Sequence, residues 1–306
     1  MAANYWDSTQ AKHFTYTKSE LASLRSSLLY NSNNNNNNNA NKHPPLPETR
    51  HLAIYMQTHL TKFARRQTNI RQQALATAQI YLKRFYLCVD LRKTNPYLLM
   101  ATALYLACKM EETPLHIRLM LGEAARQWPE LGVSETGRLG ECEFALISTL
   151  RSRLILHHPY RSLGELQGVF GLGTEEQGLA HSIINDSFAT DLALLYPPHI
   201  IAITAIFLAV VLRPTGGLPA GLAAHSSSPA VSSSAAQSAL AGFGGLKQSG
   251  PKLGKLVDWL AESKVDMEAI VDATQEMVSL YECWEGYSER AVREAITKMM
   301  REGAVK

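Results

Sequence analysis

From Glu48 onward apolar residues recur along this chain with the spacing of helices, and no segment shows the two-residue alternation of a half-buried strand. The densest apolar stretch, Leu98, Leu99, Met100, Ala101, Ala103, Leu104, Tyr105, Leu106 and Ala107, leaves almost no polar face, which predicts a helix covered on nearly all sides. Asn95 suits its N-cap and Pro96 its first turn, and Thr113 and Pro114 close it. Its end reads differently. Lys109, Glu111 and Glu112 crowd the last turn, where the helix dipole favours the cation and opposes the two carboxylates. Charges set against the dipole are expected to answer to groups outside the helix.

The same helix is written twice. Setting Pro96 against Pro198 without a gap aligns PYLLMATALYLACK with PHIIAITAIFLAVV and matches Thr102 to Thr204, Ala103 to Ala205, Leu106 to Leu208 and Ala107 to Ala209. A period of roughly one hundred residues is too long for a solenoid unit and fits a duplicated helical domain, each copy wrapped around one apolar helix. Lys109 falls opposite Val211, so only the first copy carries the charged end, and the contact site is expected there.

Around these two helices the pattern predicts helices from Glu48 to about Arg65, Ile70 to Leu87, Leu115 to Gln127 and Glu135 to Leu150 in the first copy. In the second copy it predicts Pro159 to Phe170, Glu175 to Leu195, Pro197 to Leu212 and Asp266 to Trp284. The resulting fold class is all-α, two tandem five-helix repeats with an N-terminal helix and two low-complexity insertions. The domains run 1–47 (a short helix and a polyasparagine linker, Asn33 to Asn39), 48–156, 157–287 with a Gly/Ser/Ala/Pro insertion at about 213–252, and a 288–306 tail with a helix around Arg290 to Met300.

Composition narrows the class. With 306 residues, 46% hydrophobic and 19% charged, the chain can bury two ordinary cores. The longest apolar run, near Ile200 to Leu212, is too short to span a bilayer, and MAANYWDSTQ is not a secretory signal, so a soluble protein with no membrane partner is expected. Cys88, Cys108, Cys142 and Cys283 form no CxxC pair, which disfavours zinc ribbons and disulfide frameworks. A net charge of +3 with dispersed Lys and Arg argues against a dedicated nucleic-acid binder. His157 and His158 are adjacent, and with no GxGxxG, GKS/T, HExxH or nucleophile motif nearby, neither an enzyme nor a cofactor nor a metal site is expected.

Glu143 is the most informative residue after Lys109. At about 100° per residue, Leu139, Cys142, Leu146, Ile147 and Leu150 form one stripe, and Glu143 falls inside it, where a carboxylate needs a partner. An internal salt bridge with Lys109 or Arg138 is one reading. Presentation of Lys109 and Glu143 together to another protein's backbone is the other, and the two are compatible. ALYLACKMEE followed by ECEFALISTL resembles the cyclin box, in which a lysine of the first motif and a glutamate of the second contact a cyclin-dependent kinase. These map onto Lys109 and Glu143, with Glu112 and Tyr105 counted in the same kinase-binding set.

NYWDS, QIYLKRFYL, HHPYRSL, INDSFATDLALLYPP and the DMEAIV to LYECWEGY segment are similar, more narrowly, to the C-type cyclins. That resemblance implies the two-repeat cyclin fold, a nuclear location, and partnership with the Mediator-associated cyclin-dependent kinase and other subunits of the Mediator kinase module in RNA polymerase II transcription. Another transcription-type cyclin, or a transcription-factor-IIB-like DNA-binding core, is the alternative. Two features depart from cell-cycle cyclins: Lys83 precedes Arg84 and Phe85 where those members carry an aspartate, and RHLAIYM does not preserve their substrate-docking motif. Asp186 is the second charged residue near an apolar stripe, and either a cap or a bridge between the copies would explain it. Alternatively, Asn185, Asp186, Tyr281 and Trp6 are expected to line a groove for a further Mediator subunit, since an aromatic rim around a polar anchor suits an interface hot spot.

Overall fold

The computed structural model describes residues 4–34, 46–66, 70–132, 135–212 and 251–302. The chain divides into two units, Met1–His157 with Ser288–Lys306, and His158–Tyr287. Among the described residues all regular structure is helical, in fourteen α-helices and three short 3₁₀ turns.

In the first unit α3 (Thr49–Arg66), α4 (Gln72–Tyr86), α6 (Ile117–Gln127) and α7 (Thr136–Thr149) surround α5 (Pro96–Met110), which packs against all four. The Asn95 Oδ1 accepts from the backbone N–H groups of Tyr97 and Leu98 at 3.1 and 3.2 Å, and Pro96 supplies the first turn. Leu99, Met100, Leu104 and Leu106 are at most 2% exposed. Burial of each such side chain contributes about 1.5–3 kcal/mol. Ala74, Ala76 and Ala78 on α4 are fully buried, and without bulk at these positions α4 lies close against α5.

The segment before the first repeat is broken into three pieces rather than one helix: a 3₁₀ turn (Tyr5–Asp7), α1 (Thr9–His13) and α2 (Lys18–Asn34). Side-chain caps make the breaks. Ser8 Oγ accepts from Ala11 N–H at 3.2 Å to start α1. Thr17 Oγ1 accepts from Glu20 N–H at 3.2 Å while the Glu20 carboxylate accepts the Thr17 N–H at 2.7 Å, a capping box that starts α2. Gln10 and His157 bond each other's side chain and backbone, and Phe14 lays its ring 3.8 Å from the guanidinium carbon of Arg84. Of the polyasparagine tract, Asn33 and Asn34 complete α2, and the rest lies outside the described residues.

The C-terminal segment belongs to the first unit. Its helix, which runs Glu289–Glu302, buries Val292, Ile296 and Met299 and packs on α3. Glu289 accepts from Lys62 at 2.8 Å and meets His59 Nε2 at 3.1 Å, while the indole N–H of Trp128 donates to His59 Nδ1 at 3.1 Å. With Nδ1 accepting, the neutral His59 carries its proton on Nε2 and donates it to Glu289. Burial, acting against the attraction of Glu289, pulls the His59 pKa down to about 4.

The second unit repeats the plan. α8 (Pro159–Phe170), α9 (Thr174–Ser187), α12 (Pro251–Glu262) and α13 (Met267–Glu285) surround α11 (Pro198–Val211). The single helix expected from Glu175 to Leu195 is interrupted after Ser187 and resumes as α10 (Leu192–Leu195). Thr190 causes the break, because its hydroxyl donates to Ser187 C=O at 2.6 Å and accepts from Leu192 N–H at 3.2 Å.

The α12 helix was absent from the predicted elements, since only Leu256 and Leu260 form its buried stripe and it follows directly on the insertion. Tertiary partners hold it. Lys252 Nζ donates at 2.7 Å to the buried Glu176, which also accepts the Gly173 N–H, and the Trp259 ring meets Phe170 edge to face at 5.1 Å. The insertion itself, residues 213–250, lies outside the described residues. No described helix is long and apolar enough to cross a membrane.

Candidate functional site

The charged end of α5 resolves into three different environments. Glu111 turns back onto α4, accepting from Gln73 Nε2 at 2.7 Å and Thr77 Oγ1 at 2.6 Å, so one carboxylate that opposes the dipole is held from outside the helix. Glu112 sits just past the helix with φ 53° and is exposed. Between them in role, Lys109 reaches across to α7, where its Nζ pairs with Glu143 Oε1, and the same ammonium lies 4.6 Å from the centroid of the Tyr105 ring.

Lys109, Glu143 and Tyr105 are therefore one cluster, built from α5 and α7. Arg138, the other cation considered for Glu143, reaches Glu141 instead at 3.8 Å. The Lys109 side chain is 38% exposed and that of Glu143 15%. A pair with this much solvent around it contributes about 0–1 kcal/mol to stability. Its larger effect arises when another molecule removes that water, because donor and acceptor are already fixed together. The aromatic face of Tyr105 adds a cation–π contact that holds the ammonium in place.

Two exposed apolar residues adjoin the pair in sequence, Met110 after Lys109 and Phe144 after Glu143, and Leu119 on α6 is exposed in the same unit. Phe144 is 76% exposed. A signal for it exists, since it falls outside the Leu139, Cys142, Leu146, Ile147 stripe that the helix buries. Large apolar side chains around a fixed ion pair have the composition of a protein interface rather than of a reaction site.

The second set of candidates divides between the units. Trp6 is in the first, 62% exposed, its ring 5.2 Å from that of Tyr5. In the second, Tyr281 donates to Asp186 Oδ2 at 3.3 Å, and Tyr160 donates to Asn185 Oδ1 at 2.7 Å while its ring stacks on His181. Burial raises the Asp186 carboxyl to about 7 in spite of the Tyr281 bond, and it raises the Tyr281 hydroxyl as well. Asp186 is thus anchored within its own unit by Tyr281.

The chain matches the family model for the cyclin N-terminal domain over residues 25–155. It is 47% identical over 306 residues to the RNA polymerase II holoenzyme cyclin-like subunit of Emericella nidulans and 48% identical over 303 residues to that of Aspergillus fumigatus, in both cases across 98% of each protein. A protein of the same description from Neurospora crassa is 44% identical over 345 residues, again across 98% of each. Among solved structures, a chain of the CAK complex from Chaetomium thermophilum bound to ATP-gamma-S superposes with a TM-score of 0.62 at 18% identity, covering 96% of this chain and 88% of that one. A chain of the yeast TFIIK complex gives 0.58 at 17% identity, covering 90% and 100%.

Proposed function

The chain belongs to the cyclin family, among the RNA polymerase II holoenzyme cyclin-like subunits, and from that premise we propose that it binds and activates a cyclin-dependent kinase of the Mediator kinase module in the nucleus. The subunit is regulatory and carries no catalytic residue of its own. The observation that supports the kinase-binding site is the Lys109–Glu143 pair, part-exposed and flanked by Met110 and Phe144 on the repeat that alone has a charged end.

The mechanism is a shift of population. The first unit packs its α5 and α7 ends on the kinase's regulatory helix and holds inward the glutamate that pairs with the catalytic lysine, without which phosphoryl transfer is not supported. Because the contact exists in only one kinase conformation, its binding energy is spent on that state. Lys109 and Glu143 offer one donor and one acceptor to backbone groups of the kinase, Glu112 and Tyr105 border them, and the exposed apolar residues exclude water around them.

Trp6 in the first unit, and Asn185, Asp186 and Tyr281 in the second, are proposed as contacts for a further Mediator subunit. An Asp186→Ala protein that still pairs with the kinase and still enters the larger assembly would remove that assignment.

The deciding experiment is recovery of kinase activity with this protein from a nuclear extract, comparing wild type with Lys109→Glu/Glu143→Lys. The double reversal keeps an internal pair, so circular dichroism should show an unchanged fold, while every contact to the kinase backbone is inverted. Loss of kinase from a folded variant supports the reading. Recovery of no kinase by wild type, together with strongly salt-dependent DNA binding, would replace it with the DNA-binding alternative.

A further inference from the structure

The first unit carries a second group of charges that no carboxylate answers among the described residues. Lys12 and His13 end α1, and Arg151 and Arg153 follow α7. The Gln10 side chain bonds the His157 backbone through both N–H and C=O, which pins α1 against the segment that follows α7, and partial desolvation and then the charges of Arg153, Arg151 and Lys12 hold the His13 imidazole there below its usual range. Among the described residues, neither Lys12 nor His13 nor either arginine forms an ion pair. Glu20, the carboxylate that acts on nearby Tyr16, is occupied by the N–H and hydroxyl of Thr17.

Behind this group lies a buried cation. Phe14, which follows His13, covers Arg84, and Arg84 is 1% exposed with no hydrogen-bond partner on Nε, Nη1 or Nη2. Burial lowers it only to about 10, so it stays charged at neutral pH. Arg84 and Arg151 both act on Tyr16, which joins the buried charge to the exposed ones. A guanidinium inside low-dielectric protein, with no acid to neutralise it, projects its field outward and adds to the surface cations.

The backbone supports the same surface. Arg151 and Ser152 have φ of 53° and 55°, and their N–H groups close α7 on the carbonyls of Ser148 and Ile147 at 2.9 Å. A glycine reaches this left-handed conformation without penalty, and two successive residues with side chains do not. Backbone strain of this kind concentrates at functional sites.

We propose that Lys12, His13, Arg151 and Arg153, backed by Arg84, form a binding site for a phosphorylated segment of a protein partner. Two guanidinium forks and an ammonium match the several acceptor oxygens and near-double charge of one phosphate monoester, a density that a single carboxylate lacks. Nucleic acid calls for cations that track a backbone over many positions, and four basic side chains on a chain whose other Lys and Arg are dispersed do not provide that track. The site does not depend on the kinase-binding assignment.

The test is fluorescence anisotropy on the full chain, using a labelled serine- and glycine-rich peptide with one central phosphothreonine, and the same peptide with threonine or glutamate in its place. The phosphopeptide is expected to bind roughly tenfold or more tightly than either counterpart, to be displaced by inorganic phosphate and to weaken with added salt. Arg151→Glu/Arg153→Glu should reduce binding by a further tenfold or more. Arg151→Gly removes a charge while relaxing the backbone, so its binding should fall severalfold with no loss of thermal stability. A Lys109→Glu protein should bind the phosphopeptide as wild type does, which separates this site from the kinase contact. Equal binding of the phosphorylated and threonine peptides, full affinity in the folded double-arginine variant, or preference for a single-stranded oligonucleotide would each overturn the proposal.

Discussion

The central helices α5 and α11 are alike through their buried turns and different at their last one. Both start at a proline, both bury a threonine at the matched position, and both are covered by four neighbours of the same repeat. Beyond Ala107 and Ala209 they separate: α5 ends in Lys109, held over Tyr105 and paired with Glu143, whereas α11 ends in Val210 and Val211. A buried face is constrained by packing from every side, so duplication preserved it. A helix end near solvent carries no such constraint, and there the two copies differ.

The strongest way to break the comparison is through the shared part. Leu104→Ala and Ile206→Ala each remove a fully buried side chain from a central helix and should cost about 2–5 kcal/mol in their own unit. Hydrogen exchange resolved by peptide should place each loss in one unit.

The unshared part comes next. Lys109→Glu or Glu143→Lys alone should weaken kinase capture by on the order of 2–5 kcal/mol, since one partner of a desolvated pair is left facing the wrong charge. Stability of the free subunit should change by less than about 1 kcal/mol, read from a urea titration.

Acid should move the two units in opposite directions. His59 has a folded pKa of about 4 against 6.5 unfolded, so the stability of its neutral form is fully present above 6.5 and is lost as pH falls toward 4. Asp186 has a folded pKa of about 7 against 3.8, so its protonated form adds stability that is present at low pH and is lost as pH rises through 7. Between pH 7.5 and 5.5 the first unit should lose, and the second gain, on the order of 1–2 kcal/mol. Asp186→Asn should abolish the second response in exchange measurements and leave the first.

The matched threonines give a finer contrast. Thr102 Oγ1 donates to Leu98 C=O at 2.8 Å, while Thr204 Oγ1 is buried with no partner. Thr102→Val should therefore cost about 1 kcal/mol, and Thr204→Val should be neutral or stabilising by a similar amount, measured by thermal unfolding. Smallest of all, Val211→Lys should leave kinase capture unchanged, because a cation without the acceptor and aromatic face supplied to Lys109 does not rebuild the cluster.

Much of this is legible in the order of the residues. The two apolar runs beginning at Pro96 and Pro198 identified the centres of both repeats, since a helix apolar on all sides has nowhere to go except the middle of a bundle. Glu143 stood out because a carboxylate within an apolar stripe demands a partner. The misses are equally physical. α12 has too short a buried stripe to announce itself and is held by Lys252 and Glu176 across the unit, and the break before α10 follows from a threonine hydroxyl competing for backbone groups. Phe144 lies off the buried stripe, where an exposed apolar residue is common enough to mark nothing by itself.

By itself, then, the order of residues determined the helical class, the duplication and the asymmetry between the copies, all of which rest on periodicity and on local caps that act within a few residues. Only the tertiary structure decided which of two cations takes Glu143, that Glu111 returns to α4, that the C-terminal helix closes onto α3 through His59, and that Arg84 lies buried and unneutralised behind Phe14. Each of those depends on a distance between residues far apart in the chain, and electrostatic and hydrogen-bond energies fall off so steeply with distance that no pattern along the chain can stand in for it.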